Sequence, residues 1–180
     1  MNIEIKEKKK ILLIGNPNVG KSTLFSRLTG INVAISNYSG TTVEFKHGKM
    51  KAFGGIADLI DVPGVYCLEA NCKAEKVALE MLNEGDVVIN VVDATNLERN
   101  LNLTLQLIKK KIPMIVALNF WNETKHKGII IDVKKLEKEL GVPVIPTVAV
   151  TGEGVKKLTS KLRGTNLSLL KTNHNNHNNK

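Results

Sequence analysis

Short runs of apolar, mostly β-branched residues alternate along the chain with segments whose apolar positions recur about every four residues. The runs are typical of strands buried on both faces, and the periodic segments are typical of amphipathic helices. This alternation predicts an α/β fold with a mostly parallel six-stranded sheet, one antiparallel strand and helices on both faces. The predicted strands are KKILLIG, two within VEFKHGKMKAFGGIADLIDVPG, DVVINVVDA, IPMIVALN and VPVIPTV, and the predicted helices are KSTLFSRLTG, AEKVALEMLNEG, LERNLNLTLQLIKKK, DVKKLEKELG and EGVKKLTSKL.

Glycines and polar runs mark the ends of these elements. Gly30 is expected to end the first helix, and Gly54 with Gly55 is expected to form the turn between the two antiparallel strands. Beyond residue 164 the sequence becomes polar and ends in HNNHNNK, which offers little to bury, so we expect residues 165–180 to be disordered. Residues 1–164 are therefore predicted to form one domain.

The composition narrows the range of partners. The net charge of +9 would suit an anionic partner, but aromatic residues make up only 4% of the chain, too few to stack on bases. The lysines lie beside amphipathic patterns, as on a solvated helical surface, so no nucleic acid partner is expected. Cys67 and Cys72 lack a metal-binding spacing and indicate reduced thiols. No apolar run is long enough to span a membrane, so the chain is expected to be soluble.

The segment GNPNVGKST, residues 15–23, carries the strongest chemical signal. It matches G-x-x-x-x-G-K-[ST], and it follows a predicted strand and opens a predicted helix. Backbone N–H groups and the positive end of the helix converge there, which predicts a pyrophosphate site with Lys21 on the β and γ phosphates and Ser22 on magnesium. The predicted phosphate-binding residues are Gly15, Asn16, Pro17, Asn18, Val19, Gly20, Lys21, Ser22 and Thr23.

Four further segments at the carboxyl edge of the predicted sheet, or in its loops, indicate the type of nucleotide. DVPG places Asp61 where it can hold a magnesium-bound water and the Gly64 N–H where it can face a γ phosphate. SGTT supplies the Thr42 hydroxyl to magnesium only while the γ phosphate is present. With ALN and TVAVTGEG at the next strand ends, the set predicts a guanine-nucleotide switch. The added nucleotide-binding residues are Gly40, Thr41, Thr42, Asp61, Gly64, Asn119, Asn122, Val148, Ala149 and Val150, and the predicted magnesium ligands are Ser22, Thr42 and Asp61.

Four stretches resemble the N-terminal GTPase domain of the ferrous iron transport protein B family: GNPNVGKSTLFSRLTG, NYSGTTVE, DVPGVYCL and DVVINVVDATNLERNLNLTLQLI. The resemblance covers residues 10–162 and implies a P-loop GTPase fold that binds GTP or GDP with magnesium and changes loop conformation with nucleotide state. It also implies regulation of iron passage through a transporter membrane domain, at the cytoplasmic face of the cell membrane. The family's helical and membrane domains are not recognised in this sequence, so residues 1–164 are assigned to the GTPase domain alone. Two alternatives remain open: an RNA- or ribosome-associated GTPase of the same superfamily, and a P-loop ATPase or kinase.

The predicted catalytic residues are Asn18, Lys21, Thr42 and Gly64. Val65 follows Gly64 where Ras-like proteins place the glutamine that orients the attacking water, and a valine cannot do so. Unassisted GTP hydrolysis is therefore expected to be slower than about one turnover per second. Two roles remain open for Asn18: the resemblance implies that it helps to hold a potassium ion between the β and γ phosphates, and the alternative is a hydrogen bond to the neighbouring loop backbone.

The stretch NFWN departs from the family at its last residue. The family has N-x-x-D, whereas this chain has Asn119 followed by Asn122. The family's aspartate accepts from guanine N1–H and from the amino group, but an asparagine must turn its own N–H₂ toward one of these donors. The mismatch would weaken guanine binding by about 2 to 5 kcal/mol and would favour xanthine. Two alternatives would avoid this loss: a carboxylate supplied by Glu123, or an ordered water on the second donor.

Overall fold

The computed structural model describes residues 9–30 and 33–164. Residues 165–180, for which disorder is expected from the sequence, lie outside the described residues. Within the described ranges, one sheet carries helices on both faces, so the predicted α/β architecture is confirmed.

Seven strands are present in the described part of the chain. They are β1 (Lys10–Gly15), β2 (Val33–Asn37), β3 (Glu44–Ala52), β4 (Gly55–Asp61), β5 (Val87–Asp93), β6 (Met114–Asn119) and β7 (Val144–Pro146). They form one sheet in the order β2-β3-β4-β1-β5-β6-β7. The pairs from β4 to β7 are parallel, and β3 runs antiparallel to both of its neighbours. The expectation of a mostly parallel sheet with one antiparallel strand is therefore confirmed.

Five of the six helices in the described residues form at the predicted periodic segments, whereas α4 was not predicted from the sequence. They are α1 (Lys21–Thr29), α2 (Lys73–Glu84), α3 (Leu97–Lys109), α4 (Trp121–His126), α5 (Val133–Leu140) and α6 (Val155–Gly164), with a single 3-10 turn at Ala94–Asn96. Gly30 ends α1 as expected, with its N–H donating to the carbonyl of Ser26. At α5 the Asp132 side chain accepts from the backbone N–H of Lys135, a typical helix cap.

Strand β1 shows why the sheet is covered on both faces. Its residues Ile11, Leu12, Leu13 and Ile14 are fully buried. Leu12 and Ile14 pack with residues of α2 and α3, whereas Ile11 and Leu13 pack with residues of α1 and α6. Because successive side chains of a strand point to opposite faces, a continuous apolar run needs a helical layer on each side. The loops that follow the parallel strands then meet at one edge of the sheet.

Two details of the sheet also differ from the sequence prediction. The sheet has seven strands instead of six, because β2 pairs with β3 although four of its five residues are exposed and no apolar pattern marks it. The turn between β3 and β4 consists of Phe53 and Gly54, with φ of 52° and 76°, whereas Gly55 belongs to β4. Two successive positive φ angles are typical of a tight hairpin turn, and a phenylalanine is an unusual residue there.

Candidate nucleotide-binding site

The predicted phosphate loop joins the buried strand β1 to the N-terminus of α1. The strand ends at Gly15 and the helix begins at Lys21. Gly20 has a φ of 82°, which glycine adopts readily, and a Cβ at this position would collide with Nδ2 of Asn119. The loop backbone therefore stays free of side chains where phosphates are expected to approach.

Lys21, Ser22 and Asp61 form the charged centre of the site. The Lys21 ammonium donates to Oδ1 of Asp61, and the two side chains are only 11% and 7% exposed. The Ser22 hydroxyl lies 3.4 Å from Oδ2 of Asp61. Magnesium prefers oxygen ligands and lysine pairs with phosphate, so this set of groups fits the magnesium and phosphates that the sequence predicts.

The DVPG segment after β4 lies against the phosphate loop. A Cβ on Gly64 would lie 3.2 Å from Cα of Pro17, so the two backbones are nearly in contact. The next N–H, that of Val65, donates to the carbonyl of Gly15 at 3.2 Å. The Val65 side chain is only 3% exposed and belongs to the core. A buried, apolar side chain has no group that could orient a water.

The loop between β2 and β3 is closed on itself. Its ends are joined by a hydrogen bond from the Tyr38 N–H to the carbonyl of Val43, and the N–H and hydroxyl of Thr41 both donate to the carbonyl of Tyr38 at 3.0 Å. Thr42 is exposed and lines a cavity of 450 Å³ together with Lys73 and two neighbouring loop residues. The cavity at the Lys21–Asp61 pair is a separate one of 230 Å³. The structure thus brings Ser22 and Asp61 together but does not bring Thr42 to them.

A cavity of 380 Å³ lies on the other side of the phosphate loop, at the ends of β6 and β7. Five of the predicted nucleotide-binding residues line it, namely Asn119, Asn122, Val148, Ala149 and Val150, and so do two residues of α1 or the loop before it. Its lining consists of Gly20, Thr23, Asn119, Phe120, Asn122, Glu123, Val148, Ala149, Val150 and Thr151.

Asn119 connects three segments of this cavity and is only 1% exposed. Its Nδ2 donates to the carbonyl of Val19 in the phosphate loop at 2.9 Å. Its Oδ1 accepts from the N–H of Ala149 at 3.0 Å and lies 3.5 Å from the Thr147 hydroxyl. A fully bonded, buried amide keeps one orientation, so Asn119 fixes the phosphate loop relative to the loop after β7.

Asn122 and Glu123 lie in the first turn of α4, at the mouth of the same cavity. The Asn122 Nδ2 donates to Oε1 of Glu123 at 2.7 Å. The other carboxylate oxygen of Glu123 lies 3.7 Å from Nδ1 of His126. One N–H of the Asn122 amide is therefore engaged by Glu123, and this fixes which side of the amide presents the oxygen to a ligand.

Sequence reasoning missed the residue that fixes the segment after DVPG. The buried carboxylate of Glu75 accepts from the N–H of Asn71 at 2.9 Å and from the Cys67 thiol at 3.1 Å. The hydrogen bond to Glu75, aided by burial, raises the pKa of Cys67. Nearby, the Leu68 N–H donates to Oε1 of Gln106. The sequence signal that could have found this contact is Glu75 itself, an acidic residue on the apolar side of α2. A buried carboxylate needs hydrogen-bond partners, so its position indicates a nearby donor.

Two asparagines of the phosphate loop have side chains that bond to no other residue in the described part of the chain. Asn18 is exposed, with a φ of 65°, so the alternative role of bonding the loop backbone has no hydrogen bond to support it. Asn16 is only 4% exposed, and its buried Oδ1 has no donor among the described residues. An amide oxygen in such a place is suited to a water or a cation.

No helix in residues 9–30 and 33–164 is long and apolar enough to cross a membrane.

Comparison with known proteins identifies the family. The model of the family described as Ferrous iron transport protein B matches residues 9–162. The Fe(2+) transporter FeoB of Escherichia coli strain K12 is 44% identical over 158 residues, which are 84% of this chain and 20% of that protein. The Fe(2+) transport protein A/Fe(2+) transporter FeoB fusion protein of Porphyromonas gingivalis is 41% identical over 168 residues, which are 90% of this chain and 20% of that protein. The chain thus spans a small part of the length of these relatives.

Solved structures agree with the sequence comparison. A crystal structure of an S. thermophilus NFeoB mutant bound to GDP is 43% identical, with a TM-score of 0.83, and covers 89% of this chain and 63% of its own. The G domain of the T. maritima FeoB iron transporter is 40% identical, with a TM-score of 0.79, and covers 86% of this chain and 96% of its own. These likenesses confirm the P-loop GTPase fold expected from the sequence. The chain therefore belongs to the ferrous iron transport protein B family and has the fold of its G domain.

Proposed function

We propose that the chain is a guanine-nucleotide switch that binds GTP and GDP with magnesium, hydrolyses GTP slowly and regulates a ferrous iron transporter. One observation carries the proposal: the phosphate loop lies between the Lys21–Asp61 pair and the cavity at Asn119 and contributes residues to both. A single nucleotide can place its phosphates at the pair and its base in the cavity. The GDP bound to the S. thermophilus relative supports guanine as the base.

On the phosphate side of the site, binding would change the partner of Lys21 from Asp61 to the phosphates. Lys21 would leave Asp61 for the phosphate oxygens, which carry more negative charge than one carboxylate. Ser22 and Asp61 would then hold magnesium, which neutralises charge between the β and γ phosphates when bound. Thr42 is proposed to complete this set of oxygens only after the loop between β2 and β3 moves toward Ser22. That movement is the proposed switch.

On the base side of the site, Asn122 and Glu123 together are proposed to recognise guanine in place of a single aspartate. Glu123 accepts one N–H of the Asn122 amide, which supports an orientation with the Asn122 oxygen toward the base as an acceptor. In that orientation the contact between two donors, expected from the sequence, would be avoided. Guanine still loses the charge of an aspartate, which weakens binding by about 1 kcal/mol instead of the larger loss expected from the sequence. Glu123 is proposed as an orienting residue.

Hydrolysis is proposed to be slow because the chain lacks a side chain that orients water after DVPG. Val65 is buried in the core and cannot act on a water at the γ phosphate. The exposed, unbonded amide of Asn18 fits a role in holding potassium beside the phosphates, and a bound potassium ion supplies positive charge for the transition state. Lys21 and the N–H of Gly64 are the other groups proposed to stabilise that charge.

The proposed partner is the membrane domain of a transporter at the cytoplasmic face of the cell membrane. The curated relatives are Fe(2+) transporters, and this chain corresponds to 20% of their length. In this arrangement residues 1–164 form the GTPase domain. Nucleotide state would then regulate iron passage through the loop that carries Thr42 and through the segment after DVPG.

Calorimetric titration tests the proposal directly. In the presence of magnesium we expect GDP to bind more tightly than xanthosine diphosphate and ADP, and GTP turnover to stay below about one per second. Tighter binding of ADP would favour a P-loop ATPase or kinase. RNA binding that weakens steeply with salt would favour an RNA-associated GTPase. Either result would contradict the proposal.

A further inference from the structure

Arg27, a residue of α1, contacts the loop after β7. This loop, residues 148–151, lines the 380 Å³ cavity at Asn119, and the two are called the base loop and the base cavity below. Its Nε donates to the carbonyl of Ala149 at 3.1 Å, and one terminal nitrogen of the same guanidinium donates to the carbonyl of Val150. A planar guanidinium presents several donors in fixed directions, which suits two successive backbone carbonyls. Lysine, with one rotating ammonium, does not reproduce this arrangement.

The loop that Arg27 contacts is anchored at its start by burial, because Val148 and Ala149 are 5% and 2% exposed. Within the loop, the N–H of Gly152 donates to the carbonyl of Val148 at 2.8 Å, and Val148 pairs with Glu153. From outside, the N–H of Ala149 is bonded by Asn119 at 3.0 Å. Val150 is 66% exposed, so burial contributes little to its position. In the described residues, the loop is thus held by the burial of Val148 and Ala149 and by the side-chain bonds of Asn119 and Arg27, and at the exposed Val150 the bond from Arg27 is the side-chain bond that remains.

The same helix reaches the phosphates and the base loop. Lys21 is the first residue of α1, and Arg27 follows six positions later, about 9 Å along the helix axis. An outward movement of the loop after β7 would break the two bonds from Arg27 and leave the Lys21–Asp61 pair intact. A role for Arg27 would therefore concern the base and not the phosphates.

We infer that Arg27 is a positioning residue that slows release of guanine nucleotide by holding the base loop closed. The inference rests on the proposed function, because it needs a guanine nucleotide in this cavity. Removing both donors should speed release about tenfold, a factor that corresponds to 1.4 kcal/mol and to about one net hydrogen bond. The effect should be absent for a ligand that has no base.

The test measures how fast unlabelled GDP displaces a fluorescent GDP analogue from four chains: the parent, Arg27→Met, Arg27→Lys and Lys49→Met. Methionine keeps the length of the side chain without donors, and lysine keeps the charge with a single donor group. Lys49 is a matched control, because it is exposed and lines the same 530 Å³ surface cavity as Arg27 but has no contact with the base loop. Affinity for inorganic pyrophosphate and the unfolding midpoint are measured in parallel.

We expect Arg27→Met to release the analogue about tenfold faster, Arg27→Lys to fall between it and the parent, and Lys49→Met to match the parent. Pyrophosphate affinity should not change. Release from Arg27→Met within twofold of the parent would overturn the inference, and so would an equal loss of pyrophosphate affinity or an equal effect of Lys49→Met. A parent chain that binds no GDP would instead overturn the proposed function, and the inference with it.

Discussion

The base side of the site and the loop that carries Thr42 are built in opposite ways. Asn119 ends a buried strand, is 1% exposed, and bonds to both the phosphate loop and the loop after β7. Thr42 lies in a loop between β2 and β3, is exposed, and lines a cavity apart from Ser22 and Asp61. The first region is organised before a ligand arrives, so binding costs little ordering there. Under the proposed function the second must rearrange, and the free energy for that would come from differential contact with the nucleotide.

The largest effect should come from changing Lys21, which pairs with Asp61 at the centre of the phosphate site. Lys21→Ala should weaken GDP and GTP binding by about a hundredfold or more, because the phosphates lose a charged donor and Asp61 is left without its cation. Calorimetry measures the affinities. Lys110→Ala, an exposed lysine at the end of α3, is the control and should bind like the parent. Ordinary GDP affinity in Lys21→Ala would show that the phosphate loop is wrongly assigned.

A second substitution should separate the two regions. Thr42→Ala should leave GDP affinity nearly unchanged but slow magnesium-dependent GTP hydrolysis about thirtyfold, as is typical when a metal site loses one partner. Single-turnover hydrolysis and GDP titration on the same protein measure the two quantities. Thr41→Ser is the matched control, because serine keeps the hydroxyl that bonds to Tyr38. If Thr42→Ala weakens GDP binding as much as it slows hydrolysis, the loop is not a separate, movable region.

A double-mutant cycle tests whether Glu123 orients Asn122 on the base side of the site. Glu123→Gln should weaken GDP binding about tenfold in the parent, because the Asn122 amide is no longer held by a carboxylate. In an Asn122→Asp background the same change should strengthen GDP binding, since two neighbouring carboxylates repel each other. The opposite signs are the diagnostic result in calorimetric titrations. Equal signs in both backgrounds would mean that Glu123 does not orient residue 122.

The cation dependence of hydrolysis should be a smaller effect. Potassium should accelerate GTP hydrolysis severalfold over sodium at one ionic strength, and Asn18→Ala should remove the difference while leaving GDP affinity nearly intact. The reason is that a cation placed by an amide oxygen stabilises charge in the transition state and not in the bound ground state. Equal parent rates in the two salts would refute the role proposed for Asn18.

The smallest expected effect concerns the segment after DVPG. Because the hydrogen bond to Glu75 raises the pKa of Cys67, that thiol should stay protonated to higher pH and react with iodoacetamide more slowly than the exposed Cys72. The bond to Glu75 is present below the raised pKa of Cys67 and is lost as the pH rises through it. Glu75→Gln should bring the reactivity of Cys67 closer to that of Cys72, as followed by mass spectrometry across pH. Equal reactivity of both thiols in the parent would argue against this bond.

The parts of the site that sequence predicts are those encoded in short, contiguous patterns. The phosphate loop follows β1, and Asp61 and Asn119 are the last residues of β4 and β6, so parallel strands bring all three to one edge of the sheet. Arg27 lies 122 positions from the carbonyl it contacts, so no local pattern could reveal its role. The same holds for the edge strand β2, which is stabilised by pairing with β3 and not by an apolar face.

Glu123 and Phe53 show a second reason why some features of the structure could not be predicted from the sequence. The sequence leaves open whether Glu123 replaces the missing aspartate, but the bond from Asn122 that orients the amide depends on side-chain directions within the first turn of α4. Phe53 occupies a turn position with positive φ, where propensity favours glycine or asparagine. There the pairing of β3 with β4 fixes the position of the turn, and tertiary structure overrides local preference.

The bonds of Asn119 also set the order in which the domain can mature on a ribosome. The bond to Val19 joins residues 100 positions apart, and the bond to Ala149 joins residues 30 positions apart. A growing chain therefore has no complete base cavity until Thr151 has been synthesised. A guanine nucleotide that needs the whole cavity would bind the finished fold and, by mass action, stabilise it over every shorter intermediate.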